Sequence, residues 1–341
     1  MNTEKKHQSL MKKHHTESVK KNLAGVSTPH GFTLDDAIRS GVENEDSGVG
    51  IYAGDEESYV LFSEIFDPVI EEYHGGYKPT DMHTADLDSE KLIADSIDPD
   101  GTFVVSTRIR VGRNLKGTGF SPAIKQDERR EVEQNVVNAL STLSGELSGE
   151  YYPILGMNEE IRERLVTDHF LFKQGDRFLA SAGANRDWPE GRGIFHSGDK
   201  RFLVWVNEED QLRIISMQEG GGIREVFERL SGGIRTLQEK LAFAYTDHLG
   251  YLSSCPTNLG TAMRASVHVK LPKLGKNEEH LKRICKELKL SVRGINGEHS
   301  DSEGGVYDIS NKQRLGISEV NAVNLLIRGV GTLIMLEKCE D

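Results

Sequence analysis

From 264 to 271 the chain alternates strictly: Arg264, Ser266, His268 and Lys270 fall on one parity, Ala265, Val267, Val269 and Leu271 on the other. Successive side chains on a strand point to opposite faces, so this segment folds with an apolar face against a core and a polar face turned away from it. Residues 103–111 repeat the device, placing Arg108 and Arg110 on one face and Ile109 and Val111 on the other. Residues 202–206 and 212–217 read as a hairpin across Asn207-Glu208-Glu209-Asp210-Gln211, and 288–292 as a short strand leading to Arg293. Amphipathic helices are expected at about 124–142, 222–242, 276–288 and 318–337. This order lacks regular βαβ alternation. It predicts an α+β domain on a largely antiparallel sheet, not a doubly wound one.

The first third differs. Residues 1–30 read as polar and irregular, with Lys5, Lys6, Lys12, Lys13, Lys20 and Lys21 on a frayed, solvated terminus. From Thr33 to about Tyr77 the spacing of Tyr59, Phe62, Phe66, Val69, Ile70 and Tyr73 is helical, interrupted by the loop Gly48-Val49-Gly50-Ile51-Tyr52. That loop superficially matches a dinucleotide fingerprint, but acidic residues precede it instead of an apolar strand, so the match fails. The expected organisation is a helical N-terminal domain over 1–85, a linker over 86–101 and a larger C-terminal domain over 102–341.

The net charge of −12 argues against a nucleic-acid partner, which needs a basic face. Three scattered cysteines give neither a disulfide framework nor a zinc site, and no apolar run approaches a membrane span. A reduced, cytoplasmic compartment is the simplest reading.

Arg108, Arg110, Arg213, Arg264 and Arg293 project from strands that share one sheet. Such cations repel one another unless a polyanion lies among them, and triphosphate suits guanidinium forks. The competing reading pairs them with surface carboxylates. Glu208, Glu209 and Glu298 sit in loops between strands and could clamp a planar guanidinium; turn solvation is the alternative for each. His169 and His268 are candidates beside the nucleotide or satisfied structural histidines. Cys255 opens Cys255-Pro256-Thr257-Asn258-Leu259-Gly260-Thr261, with Arg264 close behind. That setting can favour thiolate, either as a nucleophile or as a fixed charge.

Taken together, Ser106-Thr107-Arg108-Ile109-Arg110, Asn207-Glu208-Glu209-Asp210, Arg213 to Gln218, the Cys255 heptapeptide, Arg264 to His268 and Gly304 to Asn311 resemble the phosphagen (ATP:guanidino) kinases. The resemblance implies a small helical domain and a larger domain with an eight-stranded antiparallel sheet. It implies reversible transfer of the ATP γ-phosphoryl group to a guanidino nitrogen, for cellular energy buffering. Under it, Ser106, Thr107, Arg108, Ile109, Arg110, His169, Arg213, Arg264, Ala265, Ser266, Val267, His268, Arg293, Gly294, Ile295, Asn296, Gly297 and Glu298 bind nucleotide. Gly48, Val49, Gly50, Ile51 and Tyr52, with Glu209, Cys255 and Glu298, bind the guanidino substrate; Glu209, Glu298, Cys255 and Arg213 act catalytically. Magnesium is held by ATP phosphates and water, with no direct protein ligand and with Glu208 reaching it through water. The short loop at 47–52, Glu298 and the Cys-Pro-Thr sequence imply L-arginine, giving phosphoarginine and ADP. The alternatives are lombricine, taurocyamine, glycocyamine or creatine, protein arginine side chains, or an inactive nucleotide-binding scaffold. The resemblance also pairs Asp46 with Arg177 across the domains. It leaves the chain a monomer or, through Arg186-Asp187-Trp188, a homodimer.

Overall fold

The computed structural model describes residues 8–168, 170–294 and 304–340. The N-terminal domain is helical, and side-chain caps set where its helices begin. Ser9 accepts from the backbone of Lys12 to start α1 (Leu10–His14), and Thr16 accepts from Val19 to start α2 (Glu17–Asn22). Thr33 and Asp36 exchange hydrogen bonds as a capping box for α3 (Leu34–Glu43). The short α4 (Ser58–Leu61) runs into α5 (Ser63–Tyr73), which buries Ile65, Phe66, Val69 and Ile70. The described part of the first thirty residues is thus ordered, against expectation. Met11, Val19 and Leu23 enter the domain core, while Lys13 pairs with Glu72 at 2.7 Å and Lys12 with Glu45 at 3.1 Å. Three apolar anchors suffice to dock two one-turn helices whose remaining side chains stay solvated.

The C-terminal domain, for which the resemblance implies catalysis, contains β1 (Val104–Arg113), α6 (Gln126–Leu140), β2 (Gly149–Pro153), α7 (Glu159–Thr167), α8 (Arg177–Ser181), β3 (Gly193–Ser197), β4 (Phe202–Val206), β5 (Leu212–Glu219) and α9 (Ile223–Gln238). There follow the small ribbon β6 (Tyr245–Thr246) and β7 (Gly250–Tyr251), then β8 (Met263–Lys270), α10 (Glu278–Glu287), β9 (Leu290–Gly294), β10 (Val306–Asn311) and α11 (Glu319–Cys339). Eight strands form one antiparallel sheet in the order β2-β3-β4-β5-β1-β8-β10-β9.

Alternation decides what each face of the sheet does. Ile109, Val111, Ala265 and Val267 are at most 1% exposed and pack with α9 and α11 in the main core. α11 is the one described helix long and apolar enough to cross a membrane; Val320, Val323, Leu326, Val330 and Leu333 bury it in this core. The register then brings the polar parity of neighbouring strands side by side, with Arg110 opposite Arg264, Arg108 opposite Ser266 and Ser106 opposite His268. Ile154, Leu165, Leu171, Phe172, Ile194, Leu203, Trp205 and Ile215 form a smaller cluster that covers the β3–β5 end of this second face.

The two domains share apolar packing. Phe120, Ala244, Leu249, Leu252, Leu259 and Leu315 of the catalytic domain belong to the same cluster as Phe62, Phe66 and Val69. Hydrogen bonds join the seam, including Ala53 N–H to Ser254 O at 2.7 Å and the Tyr59 hydroxyl to Ser253 O at 2.6 Å. Residues 86–101 carry one short turn and lie on the catalytic domain, where Ile93 N–H donates to Asn324 and Ile97 N–H to Gly221 O.

Candidate active site

Two cavities meet on the polar face of the sheet. The larger, about 1240 Å³, is lined by Ser106, Arg108, Trp205, Ser266, His268 and Asp308 among others. The smaller, about 40 Å³, is lined by Arg110, Glu209, Asp210, Arg213, Asn258 and Arg314. Arg264 borders both.

The β4–β5 hairpin presents the acids. Asn207 takes φ +57°, a left-handed value that asparagine tolerates, and its side-chain amide donates to Arg129 O and Gly191 O. Asp210 accepts from Asn114, from both the backbone and hydroxyl of Ser254, and from the Ser253 hydroxyl. With both ends fixed, Glu208 and Glu209 face inward and hold Arg213 at 3.0 and 2.9 Å. Burial pushes the Glu209 carboxyl above its ordinary range, although Arg213 pulls it down. Against the pull of burial, Glu208 and Glu209 raise Arg213.

The other cations are less compensated. Burial and the neighbouring Arg213 and Arg264 lower Arg108 to about 10, and burial with four arginine neighbours lowers Arg110 well below its ordinary value. Arg108 Nε is buried without a hydrogen-bond partner among the described residues. Arg264 is held by Asp308 at 2.6 Å. Arg108 and Arg213 both lie over the Trp205 ring, at 5.9 and 5.4 Å. So the competing expectation of carboxylate pairing applies to Arg213 and Arg264, with carboxylates of the site itself, whereas Arg108 and Arg110 have no carboxylate ion pair among the described residues. Such a cleft attracts a multivalent anion.

Cys255 stands at the N-cap of the short turn Pro256–Asn258, with its Sγ 3.1 Å from Thr257 Oγ1. Burial, and secondarily Glu209, push its thiol up to about 12, outweighing the Thr257 hydrogen bond. The expected thiolate is therefore not the ground state of the substrate-free protein; a cation must arrive beside it. The loop Gly48 to Tyr52 is pinned by Leu10 N–H on Gly48 O, Met11 N–H on Val49 O and Tyr52 N–H on Ala37 O. At Gly41 a Cβ would meet Gly50 O at 2.4 Å, so α3 and the loop approach as only glycine allows. Ile51 is buried in the domain core, and the Tyr52 hydroxyl, raised by burial, feels Cys255 and Glu209. The loop thus reaches the Glu209–Cys255 end of the site.

Not every expected residue faces the cavities. Ile109, Ala265 and Val267 turn their side chains to the helices, because strand parity leaves them on the core face. Thr107 is fully buried too, its hydroxyl donating to Gly220 O at 2.8 Å, although it still contributes to the wall of the larger cavity. Arg293 stands on edge strand β9 opposite Asp308, and Gly294 opposite Tyr307. His169, Ile295, Asn296, Gly297 and Glu298 lie outside the described residues. Asp46 meets Arg177 through both guanidinium nitrogens, as the resemblance implies. Arg186, Asp187 and Trp188 make contacts within the chain, to Ile124 O, Arg129 and Phe172.

Among the lining residues not anticipated in the site are Trp205, Asn258, Asp308 and Arg314. Asn258 Nδ2 donates to Glu209 Oε1 at 3.2 Å, and its Oδ1 accepts from Arg314 Nη1, which also donates to Thr257 O at 3.1 Å. One amide therefore connects the acid end of the site to the half-buried Arg314. Asn258 lay inside a recognised motif, but Arg314 follows β10 with no spacing signal of its own.

The ATP:guanido phosphotransferase C-terminal catalytic domain matches residues 131–340, and the corresponding N-terminal domain matches residues 5–71. An arginine kinase of Penaeus vannamei is 52% identical over 97% of this chain and 93% of its own length. The chain belongs to the ATP:guanido phosphotransferase family. An arginine kinase of Anthopleura japonica is 53% identical over 97% of the chain, which spans 46% of that longer relative. Among solved structures, a lombricine kinase superposes with a TM-score of 0.94 at 43% identity, covering 98% of this chain and 93% of its own. The duplicated taurocyamine kinase of Schistosoma mansoni, with transition state analog components bound, gives 0.91 at 42% identity, covering 98% of this chain and 47% of its own. For an ATP:guanido phosphotransferase the arrangement is chemically coherent: a large cavity beside a small one lined by four arginines with Glu209 and Asp210, Arg264 bordering both and Arg213 tied to Glu208 of the larger and Glu209 of the smaller.

Proposed function

We propose that this phosphotransferase moves the γ-phosphoryl group of ATP reversibly onto the guanidino group of L-arginine. The observation that carries the reading is Arg213, gripped by Glu208 and Glu209 where the two cavities meet. ATP would lie in the larger cavity, its phosphates among Arg108, Arg110, Arg213 and Arg264, with Arg293 and His268 at its margin. Arginine would place its guanidinium between Glu209 and Cys255, with the loop Gly48 to Tyr52 against its amino-acid end. As the N–P bond forms and the P–O bond to ADP breaks, the guanidinium proton passes to Glu209. The raised affinity of that carboxyl for protons suits an acceptor working near neutrality. Positioning and charge neutralisation supply most of the rate, since no covalent enzyme intermediate is needed.

Mg²⁺ fits the site through the ATP phosphates. Glu208 Oε2 is buried without a hydrogen bond, 3.0 Å from Arg213, and so could accept from a metal-bound water. The ion would neutralise charge developing on the phosphate oxygens. Arginine is favoured over lombricine and taurocyamine by the 52–53% identity to arginine kinases, against 42–43% to those two kinases. A coupled assay with MgATP and arginine, lombricine, taurocyamine, glycocyamine and creatine tests this: arginine should give the highest kcat/KM. Turnover of none of them would remove the reading.

Two substitutions probe the acid end. Cys255→Ser keeps a polar group but cannot become an anion beside the guanidinium. Loss of one hydrogen bond to a charged group, about 1.5–3 kcal/mol, should lower kcat roughly ten- to hundredfold without abolishing it. Complete loss in a folded protein would instead make Cys255 a nucleophile. Asn258→Ala frees Glu209 and Arg314 together and should cost a similar ten- to hundredfold in kcat/KM, mostly through the guanidino KM. An unchanged KM for arginine would show that the amide bridge does not position Glu209.

A further inference from the structure

A second constellation of ligating side chains lies away from both cavities. His30, Asp55 and Glu57 each offer one ligand atom, and these atoms lie within 4.8 Å of one another. His30 Nδ1 is 3.2 Å from Asp55 Oδ2. Asp55 is fully buried, and its other oxygen is fixed by the Ser58 N–H at 2.9 Å and the Ser58 hydroxyl at 2.7 Å. On the far side of the ring, His30 Nε2 is 3.4 Å from Glu128 Oε1. That oxygen in turn accepts the Gly119 N–H at 2.9 Å.

The geometry points to a zinc-class cation site formed by His30 Nδ1, Asp55 Oδ2 and the Glu57 carboxylate, with water completing a tetrahedron. Two ligands about 2.0–2.1 Å from a tetrahedral ion stand roughly 3.3 Å apart, close to the observed nitrogen–oxygen separation. Glu57 is exposed and free to swing inward. Binding at Nδ1 leaves the imidazole proton on Nε2, the nitrogen that faces Glu128 Oε1 at 3.4 Å, so that a small rotation of the ring would let Glu128 accept it. A carboxylate behind a metal-bound histidine is the usual way such a ring is oriented. A nitrogen ligand and three-residue donor set suit zinc better than magnesium, which demands near-octahedral oxygen. Any proton on Nδ1 is released when the ion binds.

The position gives the site a consequence. Its ligands belong to the N-terminal domain, whereas Glu128 and Gly119 belong to the catalytic domain. The same seam carries Phe120 N–H to Gly54 O and Gly117 N–H to Glu56, both at 2.7 Å. A bound ion would clip the two domains together beside the α6 N-terminus.

The test is a Zn²⁺ titration of the chelator-stripped full chain against a chromophoric indicator, in a Cys339→Ser background that removes the exposed thiol. One equivalent should bind, undisturbed by millimolar Mg²⁺. His30→Ala and Glu57→Ala should each weaken it at least tenfold, and Glu128→Gln about 10–100-fold. Because Glu57 is exposed, its variant folds even if the His30 variant does not. Unchanged Zn²⁺ affinity in Glu57→Ala, or no equivalent retained by the Cys339→Ser protein, overturns the site.

Discussion

Arg213→Ala is expected to lower kcat by about 10³–10⁵-fold, the scale at which single arginines act in phosphoryl transfer. The structure adds a second effect, because Arg213 neutralises Glu208 and Glu209 in addition to its proposed role at the nucleotide phosphates. Removing one partner of a buried pair costs about 3–5 kcal/mol of stability when the orphaned charge persists. Here the carboxyls can escape by binding protons, since burial already raises Glu209. A carboxyl whose folded pKa lies above its unfolded value binds more protons when folded, so the stability deficit grows as pH rises through the folded pKa. Urea unfolding of the variant at pH 6 and pH 8.5 should show the larger deficit at the higher pH. Arg213→Lys keeps the charge but not the two-pronged contact, and should recover stability more fully than rate. Equal deficits at both pH values would mean that the orphaned carboxyls do not take up protons in that range, and no deficit at either would mean that the pair contributes nothing to the fold.

Glu209→Gln should lower kcat by about 10²–10⁴-fold, the range of a general base. Its signature is the pH profile. In the native protein the ionised carboxylate is the active form, so kcat/KM should fall as pH drops through a pKa held above the carboxylate range by burial. The glutamine variant cannot titrate there, and its residual activity should lose that acid limb. The KM for ATP should stay near native, because the larger cavity is lined by other residues. A variant that keeps the limb would assign it elsewhere, with Glu298 the first alternative.

What could be read in advance follows the reach of each interaction along the chain. Strict alternation over 264–271 declared a half-covered strand, and β8 spans Met263–Lys270. Arg108 and Arg110 were legible for the same reason. The one-turn helices α1 and α2 were not, because a helix of five or six residues shows too little period to detect and is held by its docking. Nor could pairing be foreseen: Arg264 finds Asp308 across 44 positions, and Arg314 finds Asn258 across 56. The neutral state of Cys255 was hidden for a related reason. Local neighbours favour thiolate, but burial and Glu209, 46 residues earlier, oppose it.

The apolar cluster that spans both domains bears on how this family can be recombined. Phe120, Ala244, Leu249, Leu252, Leu259 and Leu315 come from three separate stretches of the catalytic domain, yet all pack with the N-terminal helices. A chimera made by cutting near residue 85 and grafting a relative's first domain would inherit a foreign half of this seam. Exchange of substrate preference between relatives therefore has to carry these six positions along with the loop, or the hybrid will pack a mismatched seam between its domains.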